Sequence, residues 1–224
     1  MPIILAYLAL CLVLSFIAKQ YPKTRLFVIL TIFFFGVIIS GYRRFDFTED
    51  NLSYIDYFIE NSKKSLSQSW QEVLSNSDKD PFYYFLGNVF SKLGFTYRGW
   101  FVFIAAVYMG GFCYITYKYS KDYFISVLIL VTQSYFYFSM TGLRQPLAMG
   151  VCFFAYDFAV RRKPIKFVLA VFLAYLFHSS ALIFAVFYFI KNLKINYKYW
   201  FAAIIALAVS FLYPSFINNV VERL

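Results

Sequence analysis

Apolar residues run along this chain in long blocks, separated by short polar ones. Seven blocks stand out: Ile3–Ala18, Leu26–Ser40, Trp100–Tyr117, Phe124–Met140, Leu147–Val160, Phe167–Ile190 and Trp200–Phe216. A helix needs roughly 20 residues to cross a bilayer, with about 17–25 tolerated. The shorter blocks borrow flanking aromatics, which favour the membrane interface. No strand-like alternation of the kind a membrane barrel requires is present. The pattern predicts an all-α, polytopic transmembrane helix bundle of about seven spans or re-entrant segments.

The stretch 41–99 breaks this rhythm. Leu52, Ile55, Phe58 and Ile59 have helical spacing, as do Leu66, Trp70, Val73 and Leu74, which predicts two amphipathic helices. After Asp80-Pro81, the run Phe82–Phe90 is too short to cross a membrane and too aromatic to sit in water. An interfacial or re-entrant helix fits it. No internal repeat or low-complexity tract is evident. Residues 1–224 therefore read as one integral membrane domain with a helical extracytoplasmic loop at 41–99.

Composition sharpens this. The chain is 62% hydrophobic and 14% charged, against about 45–50% and about 25% in soluble domains. A net charge of +10 would suggest nucleic acid in a soluble protein. Here the basic residues cluster in short loops beside spans, as the positive-inside rule expects, and no nucleic-acid partner is implied. Placing the N-terminus outside puts Lys19, Lys23 and Arg25 inside, then Lys118 and Lys121, then Arg161, Arg162, Lys163 and Lys166. The first block lacks the positive n-region of a cleavable signal, so it reads as an uncleaved span. Cys11, Cys113 and Cys152 all fall in apolar blocks and read as packing residues, without metal or disulfide spacing.

The charge bias fails at one place. If Phe167–Ile190 is a single span, Lys191, Lys194 and Lys198 lie outside. The alternative is a break at His178-Ser179-Ser180, where serine can cap a new helix, giving a re-entrant pair that returns to the cytoplasm. Broken helices at membrane depth survive only where they line a cavity or are buried in protein.

Two ionisable groups beside or inside apolar blocks carry the candidate chemistry. Arg144 stands in Thr141-Gly142-Leu143-Arg144-Gln145-Pro146, and His178, the only histidine, in Phe177-His178-Ser179-Ser180. Such groups are expensive in a membrane and mark function by default. Pro146 suits a first helical turn, so Arg144 opens a helix whose free amides favour an anion, and its planar fork matches phosphate. An interfacial arginine snorkelling toward lipid phosphates reads equally well. His178 can move a proton near neutral pH, or simply bond a neighbouring helix. Arg43 and Arg44 open the outer loop and suit a second phosphate, a sugar acid or an interface anchor. Asp50, Asp56, Glu60, Glu72 and Asp80 are acids or bases in principle, although loop carboxylates mostly keep a loop solvated. Asp157 and Arg161 have the spacing of a helix ion pair. No Walker, GxSxG or zinc signature appears, which argues against a cytoplasmic nucleotide donor.

The motifs Gly41-Tyr42-Arg43 with Asp50 and Tyr54, Asp80-Pro81-Phe82, Leu143-Arg144-Gln145 with Ala148, and Lys166-Phe167 leading to Ala174, Phe177-His178 and Ser180 have a familiar order. With them the chain resembles the EpsG-like branch of Wzy-type polysaccharide polymerases, over roughly residues 40–190. The resemblance implies a glycosyltransferase on the outer face of the bacterial inner membrane. It would polymerise undecaprenyl-diphosphate-linked repeat units of the O-antigen, capsule or exopolysaccharide kind, without cofactor, nucleotide sugar or metal. By the same resemblance Arg144 and His178 are the catalytic candidates. Arg43, Arg44, Asp50, Tyr54, Asp80 and Gln145 are the substrate-binding ones. Membrane lipid, a flippase and a chain-length regulator are the implied partners. Relatives are usually longer, so an N-terminal fragment of a longer protein is compatible with the sequence. The competing readings are a flippase or transporter for lipid-linked sugars, which should show repeated halves, and a non-catalytic subunit of an assembly complex.

Overall fold

A computed structural model describes residues 2–44, 48–75, 79–190 and 205, and every regular element among them is helical. The chain divides into two compact units, 1–187 and 188–224. Of the second, only residues 188–190 and Ile205 are described, all helical. The expected span Trp200–Phe216 and the lysines Lys191, Lys194 and Lys198 thus fall outside the described residues, Ile205 apart.

In chain order the first unit comprises α1 (Pro2–Gln20), α2 (Arg25–Gly41), α3 (Glu49–Lys63), α4 (Leu66–Ser75), α5 (Pro81–Lys92), α6 (Tyr97–Tyr119), α7 (Tyr123–Thr132), the single turn α8 (Tyr135–Phe138), α9 (Arg144–Val160) and α10 (Pro164–Phe177). A 3-10 helix, Ser179–Val186, follows. Among the described residues α1, α2 (entered through Pro22) and α6 are long and apolar enough to cross a membrane. Prolines open α5 and α10 in the first turn, where the missing N–H costs nothing.

Small residues set the helix spacing. The Tyr7 hydroxyl of α1 donates to the Ile32 carbonyl of α2 at 2.7 Å, across the face of Gly36. In α6 and α9, Gly111 and Gly150 face each other. A Cβ on Gly150 would lie 2.8 Å from the Val107 carbonyl, so the two backbones nearly touch. That contact uses the small-residue packing on which membrane helices rely. Contacts rise together along both helices, Tyr108 with Phe153 and Tyr114 with Phe154, so α6 and α9 run parallel. At the far end of this pair, Asp157 accepts from Tyr119 at 2.6 Å, from Lys118, and from Arg161 one turn on at 3.3 Å. The expected Asp157–Arg161 pair is there, within a larger network.

Two apolar blocks do not form single helices. Phe124–Met140 is interrupted after Thr132, and Ser134 takes a left-handed conformation with φ 56° before α8. Gln133 and Ser134 are the adjacent polar pair at the interruption, and the Tyr108 hydroxyl grips the Tyr135 carbonyl at 3.1 Å just beyond them. Phe167–Ile190 breaks at His178, as the alternative reading expected. Phe184 stacks back on Phe167, with ring centroids 6.1 Å apart, and Phe187 on Tyr156 at 5.2 Å. The chain therefore reverses at His178 and runs back along α10.

The loop 41–99 contains the expected amphipathic helices as α3 and α4, and both pack on α5. Ile55 is buried, whereas Leu66, Trp70 and Leu74 are exposed. The aromatic run Phe82–Phe90 becomes α5, and it ties the loop to the bundle. The buried Tyr83 receives the Trp100 indole N–H at 3.2 Å, and Phe82 packs on Phe177 at 5.7 Å. Asn88 donates to Ser69 of α4 at 2.6 Å.

Candidate active site

At one end of the bundle three distant stretches of chain converge: Lys79-Asp80 before α5, Arg144 at the start of α9, and His178-Ser179 where α10 breaks. Asp80 adopts φ 60° and ψ 54°, a left-handed conformation that aspartate tolerates better than most residues. Pro81 opens α5 directly after it, and the Asp80 carboxylate is only 4% exposed.

That carboxylate is the hub. Its Oδ2 lies 2.9 Å from His178 Nδ1 and 3.3 Å from Arg144 Nη1. Its Oδ1 accepts the Ser179 backbone N–H at 3.1 Å. His178 itself is extended, φ −159°, so α10 ends and a 3-10 helix begins with an open N-terminus. Asp80 fills the role of its N-cap from 99 residues away in sequence. An ionised carboxylate only accepts, so a hydrogen bond here requires the proton on the imidazole Nδ1.

Arg144 is held by more than charge. The same Nη1 donates to the Lys79 carbonyl at 2.9 Å, and the guanidinium lies 5.9 Å from the Tyr84 ring, with Tyr54 in electrostatic reach. Five N–H groups leave the fork with donors to spare. The side chains of Arg144 and His178 remain 20% and 16% exposed, enough to meet a ligand. A cavity of about 280 Å³ adjoins the cluster on the side of Asp80 and Ser179, lined also by Lys79, Phe82 and Tyr175, with Arg144 and His178 outside its lining. A cation, an imidazole, a carboxylate and aromatic walls make a site suited to an anionic, sugar-bearing ligand.

Of the residues expected from sequence, Asp80, Arg144, His178 and Tyr54 come together here. Gln145 follows Arg144, half-buried in the first turn of α9. Arg43 belongs to an adjoining network. It donates to the Ser40 carbonyl and to Asn51 Oδ1 at 3.0 Å, and its guanidinium lies 4.4 Å from the Phe101 ring. Burial lowers its pKa, yet an arginine stays charged at neutral pH. Tyr83 joins the two networks, touching Tyr54 at 5.9 Å and Arg43 electrostatically. Around Arg43, Ser40 Oγ, Thr48 Oγ1 and Asn51 Nδ2 are buried without a hydrogen-bond partner among the described residues. Arg44 and Asp50 are exposed at the start of the loop. Sequence reasoning did not single out Lys79, Tyr84, Tyr175 or the Ser179 amide. The Asp80-Pro81 step signalled a helix start, but nothing local showed what its carboxylate would meet.

No curated protein and no solved structure matches the chain. The EpsG family model matches residues 25–224 and so takes in every residue of this site. That match, on a helical membrane bundle, settles the question the motifs had opened: the chain belongs to the EpsG family, membrane proteins of polysaccharide biosynthesis.

Proposed function

We propose that this protein polymerises undecaprenyl-diphosphate-linked oligosaccharide repeat units on the outer face of the bacterial inner membrane. The observation that carries the reading is the meeting of the partly exposed Arg144 guanidinium and the lone imidazole on one buried carboxylate, at two helix ends. In a membrane protein such groups are costly and mark function by default. The charge bias of the loops supports the orientation: the site lies at the end of the bundle from which 41–99 projects, opposite the basic cluster Arg161–Lys166.

In this reading Arg144 and the N-terminus of α9 bind the donor diphosphate. An acceptor hydroxyl oxygen attacks the donor anomeric carbon, and the bond between that carbon and the phosphate oxygen breaks. The departing undecaprenyl diphosphate carries the negative charge, which the guanidinium stabilises as it develops. The hydroxyl proton passes to His178. Arg43, Arg44, Asp50, Tyr54 and Gln145 are candidates for further contacts with the glycan or the second phosphate. A flippase would deliver the substrate, and a chain-length regulator would act on the product.

The test is reconstitution. The protein in vesicles, given lipid-linked repeat units, should yield a ladder of longer lipid-linked glycans and release undecaprenyl diphosphate. Transbilayer movement of the substrate without bond formation would instead establish the flippase.

A further inference from the structure

We propose that Asp80 is a positioning residue and not a substrate ligand: it fixes His178 as the Nδ1–H tautomer, with Nε2 as the free base, and holds Arg144 in line beside it. Both of its oxygens are engaged by protein donors. Oδ2 meets His178 Nδ1 at 2.9 Å and Arg144 Nη1 at 3.3 Å, and Oδ1 takes the Ser179 amide at 3.1 Å. The carboxylate is 4% exposed, while the groups it holds are 16% and 20% exposed. The buried member of the cluster therefore orients, and the accessible members meet the ligand. The left-handed backbone of Asp80 supports this assignment. Backbone strain in a non-glycine residue persists where surrounding structure enforces it, and it gathers at functional sites.

The tautomer has a chemical consequence. With Nδ1–H committed to a carboxylate, the neutral ring offers a lone pair at Nε2 and nothing to donate there. In the proposed transfer, His178 then accepts the proton of the acceptor hydroxyl at Nε2 and becomes the imidazolium, which Asp80 stabilises. Contact with the diphosphate before proton transfer falls to Arg144. This division of labour rests on the polymerase reading, whereas the tautomer does not.

The single histidine makes the tautomer directly measurable. The full chain, purified on a histidine-free tag and labelled with 15N-histidine, is placed in lipid nanodiscs. Its imidazole 15N spectrum is recorded at a pH where the ring is neutral. Wild type should show a protonated Nδ1 and an unprotonated Nε2. Asp80→Asn should shift the population toward Nε2–H, and Asp80→Glu, which keeps a carboxylate, should retain Nδ1–H. In a Ser-His-Asp triad the equivalent Asp→Asn change gives the wrong tautomer and costs about 10⁴ in kcat. Polymerisation by Asp80→Asn should fall by about 10²–10⁴, with Asp80→Glu recovering part of it. An Nε2–H signal in the wild type overturns the proposal with no variant needed, even if Asp80→Asn does not fold. Unchanged tautomer and turnover in a folded Asp80→Asn overturn it as well. A wild type with the Nδ1–H signal but no polymerising activity would remove the functional reading and leave the positioning role standing.

Discussion

Replacing Arg144 by lysine separates what the guanidinium does for the fold from what it does for a substrate. Structurally, Arg144 supplies one donor to the Lys79 carbonyl at 2.9 Å and an ion-pair contact to Asp80 at 3.3 Å. Breaking a fully buried pair costs about 3–5 kcal/mol. Here the carboxylate keeps His178 and the Ser179 amide, and the guanidinium is 20% exposed. The loss in Arg144→Ala therefore lies nearer that of a single charged hydrogen bond, about 1.5–3 kcal/mol. An ammonium at this position can serve Asp80 or the Lys79 carbonyl, so Arg144→Lys should fold within about 1 kcal/mol of wild type, the scale of one hydrogen bond. Catalysis is different, because a point charge cannot reproduce the bidentate fork on a diphosphate. Several kcal/mol of transition-state stabilisation should vanish, a loss of roughly 100-fold or more at about 1.4 kcal/mol per tenfold. Polymer length in a deletion strain, with protein level checked by blot and thermal stability in detergent, reads both quantities. Wild-type polymer from Arg144→Lys at normal expression would refute the diphosphate assignment and reduce Arg144 to an interface anchor.

Three further outcomes are expected. His178→Gln keeps a hydrogen-bonding group but no base, so it should lose about 10²–10⁴ in rate, as His178→Ala does; if the glutamine variant retains activity, His178 only donates hydrogen bonds. A Ser65→Cys probe should react with an impermeant thiol reagent from the periplasmic side and a Lys163→Cys probe should not, and the reverse pattern would place the site on the wrong face. Gly150→Val should destabilise the bundle by at least about 1–3 kcal/mol, because its side chain would meet the Val107 carbonyl where neither backbone can yield. An unshifted melting transition would show that α6 and α9 are not in such close contact.

What the sequence made legible was what local chemistry dictates. The unbroken apolar runs of α1, α2 and α6 placed those helices to within a few residues, and the Asp80-Pro81 step marked the start of α5. Arg144 and His178 were conspicuous because charge and imidazole are costly in apolar surroundings. The break at His178 could be suspected from the lysines that follow it, but hydropathy alone made Phe167–Ile190 continuous. The interruption at Gln133-Ser134 was harder, since two polar residues among aromatics do not by themselves end a helix; the grip of Tyr108 on the Tyr135 carbonyl helps do so from another element. Asp80 shows the limit most clearly. It sits in a polar loop, where a carboxylate usually faces water. Its partners lie 64 to 99 positions further along the chain, Arg144 nearest and the Ser179 amide furthest, and only the docking of α5 brings them within reach.

The eight residues Ser179–Val186 form a 3-10 helix, a run about twice the length at which such helices ordinarily stop. At about 2.0 Å per residue the segment extends about 16 Å, whereas the same residues wound as an α-helix would extend about 12 Å. The segment leaving the site is thus about 4 Å longer than an α-helix of the same residues, comparable to one step of the backbone. It is anchored at its first amide by Asp80 and further along by the Phe167 and Tyr156 rings. An α-helical rewinding of these eight residues would therefore draw the ring contacts about 4 Å closer to the Ser179 amide, a rearrangement that the same number of residues in α9 or α10, already α-helical, does not offer.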